Sequence, residues 1–147
     1  LIQELVTLLV DLKAQIKQFI LRQADNKMRR VVLYGSSDLA ELVLHALDTT
    51  DVSIVGVCDD APAKVGRDWC GREILNPSQI RSIAPDGVII AEPGRAGEIQ
   101  EELACLQERG IRVIRLDRFD ISPHPHAARM SVSERNDSLL PPKQKAV

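Results

Sequence analysis

Two groups of residues have types and spacings suited to chemistry. The first is the turn Gly35-Ser36-Ser37-Asp38-Leu39-Ala40, which follows the apolar run Val31-Val32-Leu33-Tyr34. A buried strand that stops at a glycine and re-enters as a helix offers backbone N–H groups and short hydroxyls to an anion. Against the pattern G-x-G-x-x-G/A, the stretch keeps Gly35 and the small Ala40. Ser37 stands at the middle position, where a glycine would let the backbone approach a pyrophosphate. Asp38 and Glu41 match the spacing of a capping box, and their charge stabilises a helix mouth while opposing a phosphate. The turn is open to two readings, a ligand cradle or a structural turn alone.

The second group is Asp59-Asp60, at the end of the run Ser53-Ile54-Val55-Gly56-Val57-Cys58 and 24 positions after Gly35. A carboxylate at the end of the second strand can accept hydrogen bonds from ribose hydroxyls. Asp-Asp before Ala61-Pro62 is also an ordinary turn. Lys64 and Arg67 would supply cations to a phosphate or form a solvated rim, and Glu92 would line the same crevice from the loop after the third strand.

Other candidates carry less. His45 falls on the polar side of its helix, and His124 and His126 form an isolated H-x-H with no carboxylate or cysteine beside it in sequence, a poor metal set. Ser36 and Ser37 have no histidine base in register, so no nucleophile is read here. Cys58 reads as a small core residue.

These groups must be positioned by the elements around them. Apolar runs at Val31–Tyr34, Ser53–Cys58, Gly87–Ala91 and Ile111–Leu116 alternate with helical patterns, with a further short strand at Arg72–Leu75. Leu39, Leu42, Val43, Ala46 and Leu47 form one face of the first intervening helix. Asn76-Pro77-Ser78 starts a short helix through about Ile83, and Ile99, Leu103 and Leu106 mark another that Gly110 stops. Residues 61–71 read as a polar loop. Alternation of this kind predicts a doubly wound parallel sheet in an α/β domain over residues 29–117. Aromatic residues make up only 3% of the chain, so aliphatic side chains must fill its core.

Ahead of that domain, residues 1–26 predict a coiled-coil-like helix. Ile2, Leu5, Leu9, Leu12, Ile16 and Phe19 alternate spacings of three and four. The first strand has covering helices downstream, so the seam is read as a homodimerisation surface in preference to a face laid on its own domain. Residues 118–147, rich in Pro and Ser, read as a loop-like tail. The chain opens in mid-helix pattern at Leu1, and a fragment with further sequence upstream is expected.

Composition excludes several classes. A formal net charge of −2 gives no basic field for nucleic acid or an anionic membrane. No apolar run reaches the roughly 18 residues of a membrane span. Three cysteines without C-x-x-C spacing argue against zinc or a disulfide framework and for a reducing, cytoplasmic setting.

Residues 33–41 (Leu-Tyr-Gly-Ser-Ser-Asp-Leu-Ala-Glu) and 54–66 (Ile-Val-Gly-Val-Cys-Asp-Asp-Ala-Pro-Ala-Lys-Val-Gly) resemble the Rossmann-type domain of nucleotide-sugar enzymes. That domain fronts polysaccharide-biosynthesis dehydratases and epimerases, is similar to the N-terminal domain of sugar acyltransferases, and is often described as CoA-binding-like. The resemblance spans roughly residues 30–117 and rests on G-x-x-D-D-x-P-x-K-x-G. It implies nucleotide contacts at Gly35, Ser36, Ser37, Asp59 and Asp60, and a ligand such as NAD(P), CoA or a UDP-sugar. No Tyr-x-x-x-Lys pair is present, so hydride chemistry is not expected from this chain alone. A dimerising helix joined to such a domain also resembles winged-helix transcriptional regulators. The favoured expectation is a non-catalytic nucleotide or nucleotide-sugar sensor domain from a dimeric regulator of polysaccharide synthesis. The alternative is the cofactor domain of a nucleotide-sugar dehydratase, epimerase or acyltransferase.

Overall fold

A computed structural model describes residues 1–118. The tail from 119 onward, with His124 and His126, lies outside the described residues.

The elements run α1 (Ile2–Ala24), β1 (Arg30–Tyr34), α2 (Asp38–Leu47), β2 (Ser53–Cys58), β3 (Asp68–Trp69), β4 (Arg72–Leu75), α3 (Ile80–Ile83), β5 (Gly87–Ile90), α4 (Ala96–Glu102), α5 (Ala104–Glu108) and β6 (Arg112–Arg115). The sheet order is β3-β4-β2-β1-β5-β6. β4, β2, β1, β5 and β6 are parallel, and β3 lies antiparallel to β4 at the edge. The chain moves outward from β1 in one direction through β2 and in the other through β5. The carboxyl ends of those three strands therefore surround a topological switch point, where open α/β sheets leave a crevice.

Strand alternation sorts the core into two layers. Val31, Leu33, Ile89 and Ala91 face α1 and α2, joining Ile16, Ile20, Val43 and Leu47. Val32, Tyr34, Val88 and Ile90 face α3, α4 and α5, joining Ile80, Ile99, Leu103 and Leu106. Both faces of the central strands are thus dry, which is why they read as unbroken apolar runs. This is the doubly wound, Rossmann-like sheet that the alternation predicts.

The leading helix departs from expectation. Its carboxyl half lies on its own domain: Ile16 and Ile20 are fully buried, Ala24 and Met28 nearly so, and Leu12 and Phe19 pack against the same layer. The α2 helix covers only part of that face, and α1 supplies the rest. Asp25 and Asn26, both left-handed, end the helix, and the Arg112 Nη1 donates to the Gln23 and Ala24 carbonyls at 3.1 and 2.8 Å. Along the amino half, Ile2, Leu5, Leu8 and Leu9 are between 50 and 79% exposed. Among the described residues no helix is long and apolar enough to cross a membrane.

The stretch 61–71, read as a polar loop, holds the short strand β3 and the turn that pairs it with the expected strand β4 as a hairpin. Cys70 and Gly71, at φ 50° and 77°, form the two-residue turn between β3 and β4. Trp69 is thereby set against the α1/α2 layer.

Truncating Ile20 to Ala should lower unfolding free energy by about 2–5 kcal/mol, the cost of a cavity beneath an anchored helix. Leu5→Ala, at concentrations where the chain is monomeric, should change it by no more than about 0.5 kcal/mol. Urea denaturation of both variants measures this. Equal losses would mean the whole helix is docked.

Candidate functional site

The glycine turn is fixed from both sides. The Gly35 N–H donates to the Cys58 carbonyl at 2.8 Å, and the Ala91 N–H donates to the Tyr34 carbonyl at 2.9 Å, so the ends of β2 and β5 flank the end of β1. Gly35 has φ +115°, a conformation that L side chains rarely adopt.

Ser37, not Asp38, caps α2. Its extended backbone lets the side-chain oxygen accept the Ala40 N–H at 3.2 Å while its hydroxyl donates to the Ala91 carbonyl at 2.8 Å. The expected Asp38/Glu41 capping box is not formed. Asp38 is an exposed residue of the first helical turn, and Glu41 accepts from the Cys70 thiol at 3.7 Å. Ser37 thus trades the close approach a glycine would allow for a bond that staples the turn to β5. The N–H groups of Asp38 and Leu39 keep no partner among the described residues.

Asp59 meets Gly35 across one rim, as its position in sequence suggests. It is buried, at 5% exposure. One carboxylate oxygen accepts the Ser36 hydroxyl at 2.9 Å and the other the Ala61 N–H at 2.9 Å, while the Lys64 ammonium stands 3.6 Å away. Asp60 is held by Arg95 through two parallel bonds of 2.8 and 2.7 Å. That hydrogen-bonded guanidinium keeps the Asp60 carboxyl below the usual carboxylate range. Arg95 also reaches Glu98 at 3.3 Å. Sequence reasoning gave Arg95 no role beyond its loop. The available signal is a second aspartate in need of a counter-charge and a cation shortly after the Gly87–Ile90 strand.

Glu92 occupies the mouth. A Cβ built on Gly35 would meet Glu92 Cγ at 2.8 Å, Glu92 Oε1 at 3.0 Å and the Ala91 carbonyl at 3.1 Å. The acidic side chain therefore rests on the bare α-carbon that an incoming ligand would approach. The Glu92 carboxylate makes no hydrogen bond or ion pair among the described residues. Gly35, Ser36, Ser37, Asp38, Asp59, Asp60, Lys64 and Glu92 all belong to the loops and helix start at the carboxyl ends of β1, β2 and β5. Both rim cations, Lys64 and Arg95, are already matched to carboxylates.

Burial pushes the Cys58 thiol and the Tyr34 phenol well above their ordinary ranges, with Asp60 adding to both. The three cysteines are free, and no metal-holding cluster occurs among the described residues.

Sheet order, switch point and rim define an open, Rossmann-like α/β domain. The chain belongs to the family C2185-like, N-terminal, whose profile matches residues 27–114, from the linker after α1 into β6. No curated protein matches it. Among solved structures, the chain is similar to UDP-D-quinovosamine 4-dehydrogenase from Vibrio fischeri, at TM-score 0.50 and 18% identity, over 71% of this chain and 85% of that one. It is similar to RSP solved with β-NAD+ and operator DNA, at TM-score 0.51 and 16% identity, over 81% of this chain and 62% of that one. RSP, a Rex-family repressor, also matches at TM-score 0.50 and 17% identity, over 87% of this chain and 68% of that one. At these identities the likeness establishes the fold.

The Asp60–Arg95 pair yields a test. Its side chains are 28 and 40% exposed, so a double-mutant cycle with Asp60→Asn and Arg95→Gln should return a small favourable coupling that falls with salt. The folded carboxyl titrates below its ordinary value. Its contribution is therefore complete above about pH 4 and is lost as pH falls through the depressed value. Asp60→Asn should flatten that acid limb. A coupling of zero with an unchanged limb would show that the pair does not hold the rim.

Proposed function

We propose that this domain binds a nucleotide-type ligand at the carboxyl edge of its sheet without transforming it, as the sensing part of a dimeric protein. The observation that carries the reading is the meeting of Gly35, Asp59 and Glu92 at one switch point. There the free N–H groups of Asp38 and Leu39 open α2, and the Asp59 carboxylate closes the facing rim. The first suit a diphosphate and the second a ribose. The fold shared with RSP, solved with β-NAD+ and operator DNA, supports a regulator as the setting, with NAD(H) the first ligand to try ahead of NADP(H), CoA and UDP-sugars. The exposed amino half of α1 would join two copies, and the regulated process would be polysaccharide synthesis.

One observation favours a second reading. The sheet is also that of UDP-D-quinovosamine 4-dehydrogenase, 85% of which is covered by the match. Under that reading the domain holds the nucleotide for a catalytic domain elsewhere in a longer chain. A helix-turn-helix pattern upstream in the full-length sequence would favour the regulator, and a Tyr-x-x-x-Lys motif or hexapeptide repeats would favour the enzyme.

A thermal-shift screen tests binding. Ligand at about 100 times its Kd should stabilise the fold by about 2.7 kcal/mol. Asp59→Asn should weaken binding at least tenfold, and Glu92→Ala should strengthen it by clearing the mouth. A screen in which NAD(H), NADP(H), CoA and UDP-sugars all leave the midpoint unmoved would sink the proposal. For the dimer, Leu5→Glu with Leu9→Glu should convert a sedimenting dimer to monomer. A wild-type chain that sediments as monomer at high micromolar concentration would remove that part.

A further inference from the structure

The opposite edge of the sheet carries the inverse charge pattern. A groove of about 510 Å3 opens at the amino ends of the strands, between α3, the end of α5 and the linker that follows α1. Leu106 and Ile111 give it an apolar lining, and Lys27, Arg81, Arg109 and Arg112 surround them. A single carboxylate, Asp86, shares the groove. That carboxylate is already committed: one of its oxygens accepts the N–H groups of Arg29 and Arg30, both at 2.9 Å. Arg112 spends one nitrogen on the carbonyls that end α1. The side chains of Lys27, Arg81 and Arg109 make no hydrogen bond or ion pair among the described residues.

The contrast with the crevice is chemical. There every rim cation is matched by a carboxylate, and Glu92 is left over. Here cations are left over, and they come from four separate places in the chain: the α1–β1 linker, α3, the end of α5 and the start of β6. Parallel packing of β1, β5 and β6 brings those places together. Like charges gathered at a partly apolar recess repel one another, and an anion that enters relieves the repulsion. The volume lies in the range of small-molecule sites.

We propose that this groove is a second binding site, for a small phosphate ester whose phosphate meets Arg81, Arg109 and Arg112 and whose apolar body lies on Leu106 and Ile111. Guanidinium groups match phosphate oxygens in pairs, which favours a phosphate over a simple halide. The site is independent of the nucleotide crevice, and its test does not depend on that reading.

Amide NMR at constant ionic strength decides it, with phenyl phosphate, inorganic phosphate and phenol as probes. Phenyl phosphate should give saturable shifts confined to Lys27, Arg81, Gly110, Ile111 and Arg112. It should bind several-fold tighter than inorganic phosphate, and phenol should give no saturable shift. The variant Arg81→Gln with Arg109→Gln should keep its spectrum elsewhere and bind phenyl phosphate at least tenfold more weakly. Unsaturable shifts, undiminished binding by that variant, or shifts centred on Gly35–Leu39 would each overturn the proposal. Equal affinity for inorganic and phenyl phosphate would overturn the assignment of the apolar body to Leu106 and Ile111.

Discussion

The burial of the Asp59 carboxylate is the constraint on which the carboxyl edge depends. An ionised group at 5% exposure is tolerated only when its oxygens are satisfied, since burying it unpaired costs several kcal/mol. The Ser36 hydroxyl and the Ala61 N–H satisfy it, and Lys64 partly neutralises it. Those bonds draw the glycine turn of β1 onto the end of β2. Ser37 draws the same turn onto the end of β5 through the Ala91 carbonyl. Three strand ends are thereby held in one rim, and the open start of α2 is set beside it. Asp59 thus positions the turn first, and any ribose it accepts must use lone pairs left over from that task.

The leading helix links two levels of organisation. Its carboxyl half is part of the core, sealed by Ile16 and Ile20, and its last carbonyls are bonded by Arg112. Its amino half leaves the domain with its apolar residues uncovered. Arg112 belongs both to that anchor and to the basic groove.

Much of the fold was legible because its central strands are buried on both faces and its helices are apolar on one. Val31–Tyr34 and Gly87–Ile90 announce themselves as apolar runs, and the Leu39–Leu47 face has helical spacing. What escaped depends on contacts distant in sequence. The a/d seam of α1 is continuous as a pattern, and only how far the domain reaches along the helix decides that Leu12, Ile16 and Phe19 are covered while Ile2, Leu5 and Leu9 are not. Asp38 and Ser37 both suit an N-cap, and the Ala91 carbonyl 54 residues away selects Ser37. The β3–β4 turn places Cys70 at positive φ, where the usual signal is Asn or Asp before glycine. At the site, the approach of Asp59 to Gly35 follows from strand order alone. The seat of Glu92 on Gly35 and the grip of Arg95 on Asp60 do not, because both depend on how the loop after β5 folds back.

Glu92 fills the space above Gly35 at the switch point, and its carboxylate makes no hydrogen bond or ion pair among the described residues. The central claim is that this edge, once Glu92 turns aside, receives a nucleotide. A crystal structure of the domain with NAD+ tests it most directly. The account predicts the diphosphate over Gly35–Leu39, the Glu92 side chain rotated off Gly35, and the Ser36–Asp59 bond preserved. A nucleotide bound elsewhere, with Glu92 still seated on Gly35, would contradict it.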